Sequence, residues 1–219
     1  AQWYEKLFEL DKEHASAKDA FYTASLFRES LGQWEKAVEN KKKYIEAFPE
    51  DERTLGMKID IPKIYQKFDQ VDKAKTAYNA FQKSPPKDAP IEFVFFARMK
   101  YGEILRDENR PDRLDKHWEM VLKQFDKLTE EQMTPQMKEF KAEAAFERGT
   151  YSSRKYMDSQ ISGPSSSSAS QKSIDRALKK QLKVKTEGLQ KTEETFNKVI
   201  EIGGGEWTLA AVVQIGRVY

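Results

Sequence analysis

Apolar residues recur along this chain at intervals of three and four rather than two, which is the spacing of one face of an α-helix. Ala20, Phe21, Ala24, Phe27 and Leu31 form one such stripe. Gly32 then supplies a helix C-terminal turn, and a second stripe follows with Trp34, Ala37, Val38, Tyr44, Ile45 and Phe48. The pattern repeats in Leu55, Ile59, Ile64, Tyr65 and Phe68, a turn at Asp69-Gln70, and then Val71, Ala74, Tyr78 and Phe81. Pro62 lies inside the first of these two helices. It lacks a backbone donor, so it is expected to kink or split that helix near Asp60.

A third pair is looser. Ala89-Pro90 opens a helix carrying Phe93, Phe96, Ala97, Lys100, Tyr101, Ile104 and Leu105. Asn109-Arg110-Pro111 is the turn, and Leu114, Trp118, Val121, Leu122 and Phe125 mark the partner helix. Thr134-Pro135 starts a fourth unit as N-cap and first helical residue, with Met137, Phe140, Ala144, Ala145, Phe146 and Tyr151 on its stripe. The run from Ser162 to Ser170 holds no apolar anchor except Ala169 and reads as a flexible loop. Ile174 to Ile202 then reads as one helix, about 45 Å long at 1.5 Å per residue. Leu182, Leu189, Phe196 and Val199 share one of its faces. Gly203-Gly204-Gly205 ends it, and Glu206-Trp207 opens a last helix with Leu209, Ala210, Val213 and Ile215.

These units are copies of one another. Tyr4–Lys12, Lys41–Pro49 and Tyr78–Pro86 align, and their last residues are 37 apart in each case. With Leu31-Gly32-Gln33-Trp34-Glu35-Lys36-Ala37, Pro49, Pro86, Tyr65, Ala74 and Tyr78, the chain resembles the tetratricopeptide repeat (TPR) family. The first segment resembles the link between that family's two helices, and the prolines fall where its closing proline sits. Departures are Arg28, where an aromatic is expected, Asp69, where Gly is usual, and a period longer than the family's about 34 residues. The resemblance implies an all-α fold, a right-handed superhelix (solenoid) of antiparallel helix pairs. The expected organisation is a helix-pair array over 1–160, a Ser/Gly-rich loop over 161–173, and a long helix plus the first helix of a further repeat over 174–219. Ile161-Ser162-Gly163-Pro164, the basic helix, and Gly205-Glu206-Trp207 with Ala210, Ala211, Ile215, Gly216 and Tyr219 resemble divergent TPR proteins of delta-proteobacterial cell envelopes. Some of those belong to motility or secretion-type assemblies.

Composition narrows the functions open to such an array. There are 38 Lys+Arg against 36 Asp+Glu in 219 residues, a net charge of +2. No bulk charge is therefore available to recruit nucleic acid or an anionic membrane. Cysteine is absent, which excludes disulfides, thiolate metal sites and cysteine nucleophiles. The charged share of 34% is high, yet 13 Phe, 9 Tyr and 4 Trp are too many for a disordered chain. A thin array, in which each unit buries its own small core, reconciles the two. No stretch approaches the about 20 apolar residues of a membrane span. The chain begins at Ala1-Gln2-Trp3 and stops at Tyr219 within helical patterns, so it reads as a piece of a longer array. Trp3, Tyr4, Leu7 and Phe8 at one end and Trp207–Tyr219 at the other are expected to need neighbouring repeats of the same parent chain.

Candidate chemistry is sparse. His14 and His117 lack a second His at helical spacing, so no metal pair is formed. His14 reads as a solvated or capping residue and His117 as a helix-surface residue. The triple glycine lacks the strand and the Lys-Ser/Thr of a phosphate-binding loop. Pairs such as Glu130-Glu131 and Glu193-Glu194 read as solvated faces, since acid–base work needs a desolvated pair. No catalytic, cofactor or metal residue is assigned. Lys172, Arg176, Lys179, Lys180, Lys183 and Lys185 form a local basic cluster suited to an acidic partner, a phosphate-rich surface or single-stranded nucleic acid, or to an exposed helix face alone. No aromatics are interleaved for stacking bases, so nucleic acid is not expected.

The family resemblance implies a non-catalytic scaffold that binds a protein or peptide on a concave face lined by the first helix of each pair. Carried over position by position, that face holds Tyr22, Leu26 and Glu29, then Ile59, Lys63, Gln66 and Lys67, then Phe96, Met99, Glu103 and Arg106. Tyr22, Leu26, Ile59 and Phe96 are equally readable as core between repeats. Tyr22 and Leu26 stand where the chaperone-binding members carry residues that grip a peptide's C-terminal carboxylate, which argues against capture of a chain end in that way. Alternatives are an oligomerising module, pairing the long helix with its own copy along Leu182, Leu189 and Phe196, and a regulatory domain of a larger protein. The resemblance suggests the periplasm or cell envelope, with the cytoplasm as alternative.

Overall fold

The computed structural model describes residues 1–157, 161–162 and 170–218, and these are all-α. Ten helices follow in order among the described residues: α1 (Gln2–Leu10), α2 (Ala17–Ser30), α3 (Trp34–Ala47), α4 (Arg53–Lys67), α5 (Val71–Lys83), α6 (Ile91–Asp107), α7 (Pro111–Phe125), α8 (Pro135–Met157), α9 (Gln171–Ile202) and α10 (Gly205–Val218). The chain divides into two compact units, Ala1–Ile104 and Leu105–Tyr219. The division falls inside α6. Residues 163–169 of the Ser-rich run lie outside the described residues. The compositional boundary at 173/174 falls within α9, which starts at Gln171.

The turns inside the three helix pairs share one backbone solution. Gly32, Asp69 and Asn109 all adopt positive φ, at 71°, 58° and 52°. Each is followed by an N–H that reaches back five residues: Gln33 to Arg28, Gln70 to Tyr65 and Arg110 to Leu105. This left-handed residue with its backward bond is a helix C-cap that satisfies carbonyls left open at the helix end. Asp69 therefore occupies a position that favours glycine. Asn and Asp are the side-chain-bearing residues that tolerate it best.

Superposing the pairs on these turns matches Lys41 with Tyr78 and Trp118. All three side chains are fully buried. The same match sets Arg28 against Tyr65 and Leu105, and Arg28 is buried too. In the first unit α2 packs on α1 and α3, and α4 on α3 and α5. Phe8, Phe21, Ala24, Tyr44 and Met57 form one cluster, and Ala37, Val38, Ile61 and Ile64 another. Ile59, Ala74, Tyr78, Phe81, Val94, Ala97 and Ile104 join α4, α5 and α6. Burying a side chain of this size contributes roughly 2 kcal/mol. Pro62 neither splits nor ends α4, which runs unbroken from Arg53 to Lys67. Pro62 is itself buried. Two residues of the first stripe fall outside the core. Phe27 and Leu31 are exposed, and the Phe27 ring instead stacks on Tyr4 at 6.1 Å.

In the second unit α7 packs on α8, α8 on α9, and α10 on both α8 and α9. Ala142, Phe196, Val199 and Ala211 are buried together, with Phe146, Trp207 and Ile215 against them. His117 is not a surface residue. It is buried beside Trp118, their ring centroids 5.1 Å apart. The α8–α9 approach is close at two glycines. A Cβ on Gly188 would lie 2.2 Å from the Tyr156 ring, and one on Gly149 would lie 3.0 Å from Thr195 and 3.3 Å from Phe196. No helix among the described residues is long and apolar enough to cross a membrane.

Candidate functional site

Most of the residues assigned to the groove lie in the first unit, on α2, α4 and α6. A buried cation organises them. Lys41 enters from α3, where the matching positions hold aromatics, and places its ammonium 3.4 Å from Asp60 Oδ2 and 3.9 Å from Glu29 Oε2. Its aliphatic stem fills the aromatic slot, and its ammonium, itself buried, meets carboxylates that are partly exposed. Glu29 and Asp60 each hold a second lysine. Lys67 lies 3.7 Å from Glu29, and Lys63 lies 3.3 Å from Asp60. The result is a chain of five charges, Lys67, Glu29, Lys41, Asp60 and Lys63, with net charge +1 and both exposed cations at its ends.

Aromatic rings flank that chain. The Lys63 ammonium sits 4.9 Å from the Phe96 ring centroid, a cation–π distance. Phe96 meets Tyr78 edge-on at 6.2 Å, and the Tyr78 hydroxyl donates to Gln66 at 3.1 Å. Burial pushes the Tyr78 hydroxyl well above the usual phenol range, so it remains a donor. Tyr22 lies under the Arg53 guanidinium at 4.8 Å, and Arg53 is tied to Asp19 at 2.8 Å and to Asp51 at 2.9 Å. The Arg53 hydrogen bonds, foremost, hold the Asp51 carboxyl far below the carboxylate range. Glu103 is bonded to Lys100 at 2.7 Å.

Three of the assigned residues stand elsewhere. Ile59 and Met99 are each 1% exposed and contribute to the core rather than to a surface. Arg106 belongs to the second unit and pairs with Glu147 at 2.8 Å. Tyr22, Glu29, Gln66 and Phe96 are partly exposed, and Leu26, Lys63 and Lys67 are exposed. Lys41 and Asp60 were not among the residues assigned from sequence. Aligning Lys41 with Tyr78 and Trp118 is the signal that finds the first, and Asp60 then follows as its counter-ion.

A second polar cluster lies at the other side of α2. Arg28 donates to Glu5 at 2.8 and 2.5 Å and also bonds Gln33, while Asn40 donates to Glu5 at 2.6 Å. The Arg28 hydrogen bond, chiefly, lowers the Glu5 carboxyl to about 2. Glu5, Arg28 and Asn40 line a cavity of 380 Å³ together with Glu9, Glu39, Lys12, Lys36 and Lys43. With Lys12, Arg28, Lys36 and Lys43 against Glu5, Glu9 and Glu39, the lining has a net charge of +1 and presents both signs to a ligand. His14 is exposed, and its Nδ1 accepts the Ser16 N–H at 3.1 Å in a turn. Among the described residues no three His, Asp or Glu side chains are grouped to hold a metal ion. The self-pairing surface on the long helix is reduced, because Phe196 is buried against Phe146 at 5.6 Å.

No protein-family model matches the chain, and no curated protein matches its sequence. Among solved structures it is similar to BtubC of P. vanneervenii, at 14% identity and a TM-score of 0.46 over 99% of this chain and 85% of that one. It is also similar to yeast Tom70, at 16% identity and a TM-score of 0.40, covering 99% of this chain and 42% of that one. A tetratricopeptide repeat protein from Parabacteroides merdae matches at 9% identity and a TM-score of 0.32, over 97% and 89% of the two chains.

Proposed function

We propose that the chain is a non-catalytic scaffold whose first unit binds a segment of a partner protein along α2, α4 and α6. The observation that carries this reading is the five-charge chain. It ties the exposed cations Lys63 and Lys67 to carboxylates, Lys63 beside Phe96, with Tyr22 and Leu26 further along the same first helices. A groove of this kind combines apolar contact area with two cations already held in place. Ordering long side chains before binding lowers the entropy lost on association. The favoured ligand is an extended or helical segment that pairs a carboxylate with an apolar residue. A cell-envelope setting of motility or secretion type rests on the resemblance of the 161–219 motif alone and is proposed on that ground.

The test uses photo-crosslinking amino acids placed at Leu26 and Lys67, with Lys43 on another face as control. Both groove positions are expected to trap the same partner, and Lys43 to trap none. A Tyr22→Ala/Lys63→Glu variant is expected to weaken capture roughly tenfold, the equivalent of about 1.4 kcal/mol. Unchanged recovery of that partner by the double variant would sink the assignment.

A further inference from the structure

The long helix α9 changes character halfway along. From Gly188 to Val199 its inward residues Gly188, Thr192, Phe196 and Val199 are buried. Its first half is more exposed and carries the basic cluster. Lys172, Arg176, Lys179 and Lys183 are spaced four, three and four apart, so they form one straight stripe along the helix. All four are exposed, and Lys180 lies beside them. By helical geometry the stripe faces directly away from the side that Gly188, Thr192 and Val199 bury. Continued into the second half, the same stripe reads Gln190, Glu194, Asn197 and Glu201, so its sign reverses.

Lys183 approaches Glu187 at 3.7 Å with both side chains mostly exposed, and Asp175 bonds Gln171. Like charges four apart on a helix repel, and a cation in the first turn opposes the helix dipole. An anionic surface laid along the stripe relieves both effects.

We infer that this half of α9 is a docking surface for an acidic segment of a partner protein, about three helical turns long. Charge complementarity identifies the partner's chemistry. A lipid surface fits worse. A membrane-bound amphipathic helix turns its apolar face outward between flanking cations. Here the cations project on the side opposite the inward face, and the exposed apolar residues are split, Leu178 and Leu182 on one flank of the helix and Val184 on the other, so they make no single apolar face between the cations. Single-stranded nucleic acid fits worse too, because no aromatic residue lies within Gln171–Glu187 to stack a base.

The experiment measures binding of a fluorescent helical peptide, with glutamates at the spacing of the four basic residues, to the whole chain. The comparison ligands are phosphatidylserine vesicles and oligothymidylate. Lys172→Glu/Arg176→Glu/Lys179→Glu/Lys183→Glu is expected to weaken peptide binding at least roughly tenfold, since several exposed pairs are lost together. Raising salt is expected to weaken the native chain's binding in the same sense. The four corresponding Gln substitutions, which keep the helix and remove only charge, are expected to give an intermediate loss. Glu194→Gln/Glu201→Gln on the second half is expected to leave affinity within twofold. Undiminished peptide binding by the reversed and neutralised variants overturns the inference. So does tighter binding to the vesicles or to oligothymidylate than to the peptide.

Discussion

The α2–α3 and α4–α5 pairs are built on one backbone plan and filled with different chemistry. Where α4–α5 has Tyr65 and Tyr78, α2–α3 has Arg28 and Lys41. Tyr78 and Lys41 are equally buried. The tyrosine meets its needs with one hydroxyl bond to Gln66. The lysine requires Glu29 and Asp60, and the arginine requires Glu5 and Gln33, with Asn40 donating to the same Glu5 carboxylate. The difference teaches that this repeat slot specifies volume and length. Polarity there is set by what the neighbouring helices supply at the far end of the side chain. The ionic version ties three helices together at once, and it also places charge on the groove.

The sharpest contrast comes from emptying the two kinds of slot. Tyr78→Ala is expected to destabilise the first unit by about 3–5 kcal/mol through cavity formation. Lys41→Met, which keeps the volume and removes the charge, is expected to change stability by less than about 1 kcal/mol. Chemical denaturation of both variants measures this. A large loss from Lys41→Met would show that the ion chain, rather than packing, holds that slot. Arg28→Ala should fall between them, at about 2–4 kcal/mol, because it leaves the Glu5 carboxylate partly buried without its cation.

Acid titration separates the pairs a second way. Glu5 has a carboxyl lowered to about 2 in the folded chain, below its unfolded value near 4.5. A depressed carboxyl stabilises the fold above the unfolded value, and that contribution is lost as the pH falls from about 4.5 towards 2. Allowing for its partial exposure to solvent, the loss is about 1–2 kcal/mol. Melting temperature followed through this window should drop for the native chain and drop less for Glu5→Gln, which has already lost the effect. Equal acid sensitivity in the two would dissociate Glu5 from the effect. The smallest difference is expected at the turns. Asp69→Gly should stabilise by about 0.5 kcal/mol and Gly32→Ala should destabilise by about 1 kcal/mol, since both positions hold positive φ.

The helix pairs were legible because stripe and punctuation agreed. Gly32, Asp69-Gln70 and Asn109-Arg110-Pro111 interrupt periodic apolar runs, and each is a helix end in the structure. Lys41 and Arg28 were not legible as interior residues, because a charged side chain in a charged helix reads as solvent-facing. What buries them is a carboxylate on a different helix, which no local pattern reports. The register of α6 was ambiguous for another reason. Phe93 to Ala97 is apolar throughout, so periodicity alone cannot choose which side faces inward. That is why Met99 is in the core although it was assigned to the groove. Ile59 was drawn into the groove by family position, whereas its own stripe with Ile64 places it inside.

The two tight glycine contacts between α8 and α9 also limit how that pair can move. Tyr156 sits over Gly188, and Phe196 over Gly149, one contact anchored from each helix. Packed helices can ratchet past each other by one turn, about 5.4 Å. Here such a step would carry the Tyr156 ring off its glycine and onto Val184 or Thr192, and Phe196 off Gly149, where only the absence of a side chain makes room. The ratchet is therefore closed. Any load taken up by the basic end of α9 must turn α8 and α9 together, as a single lever.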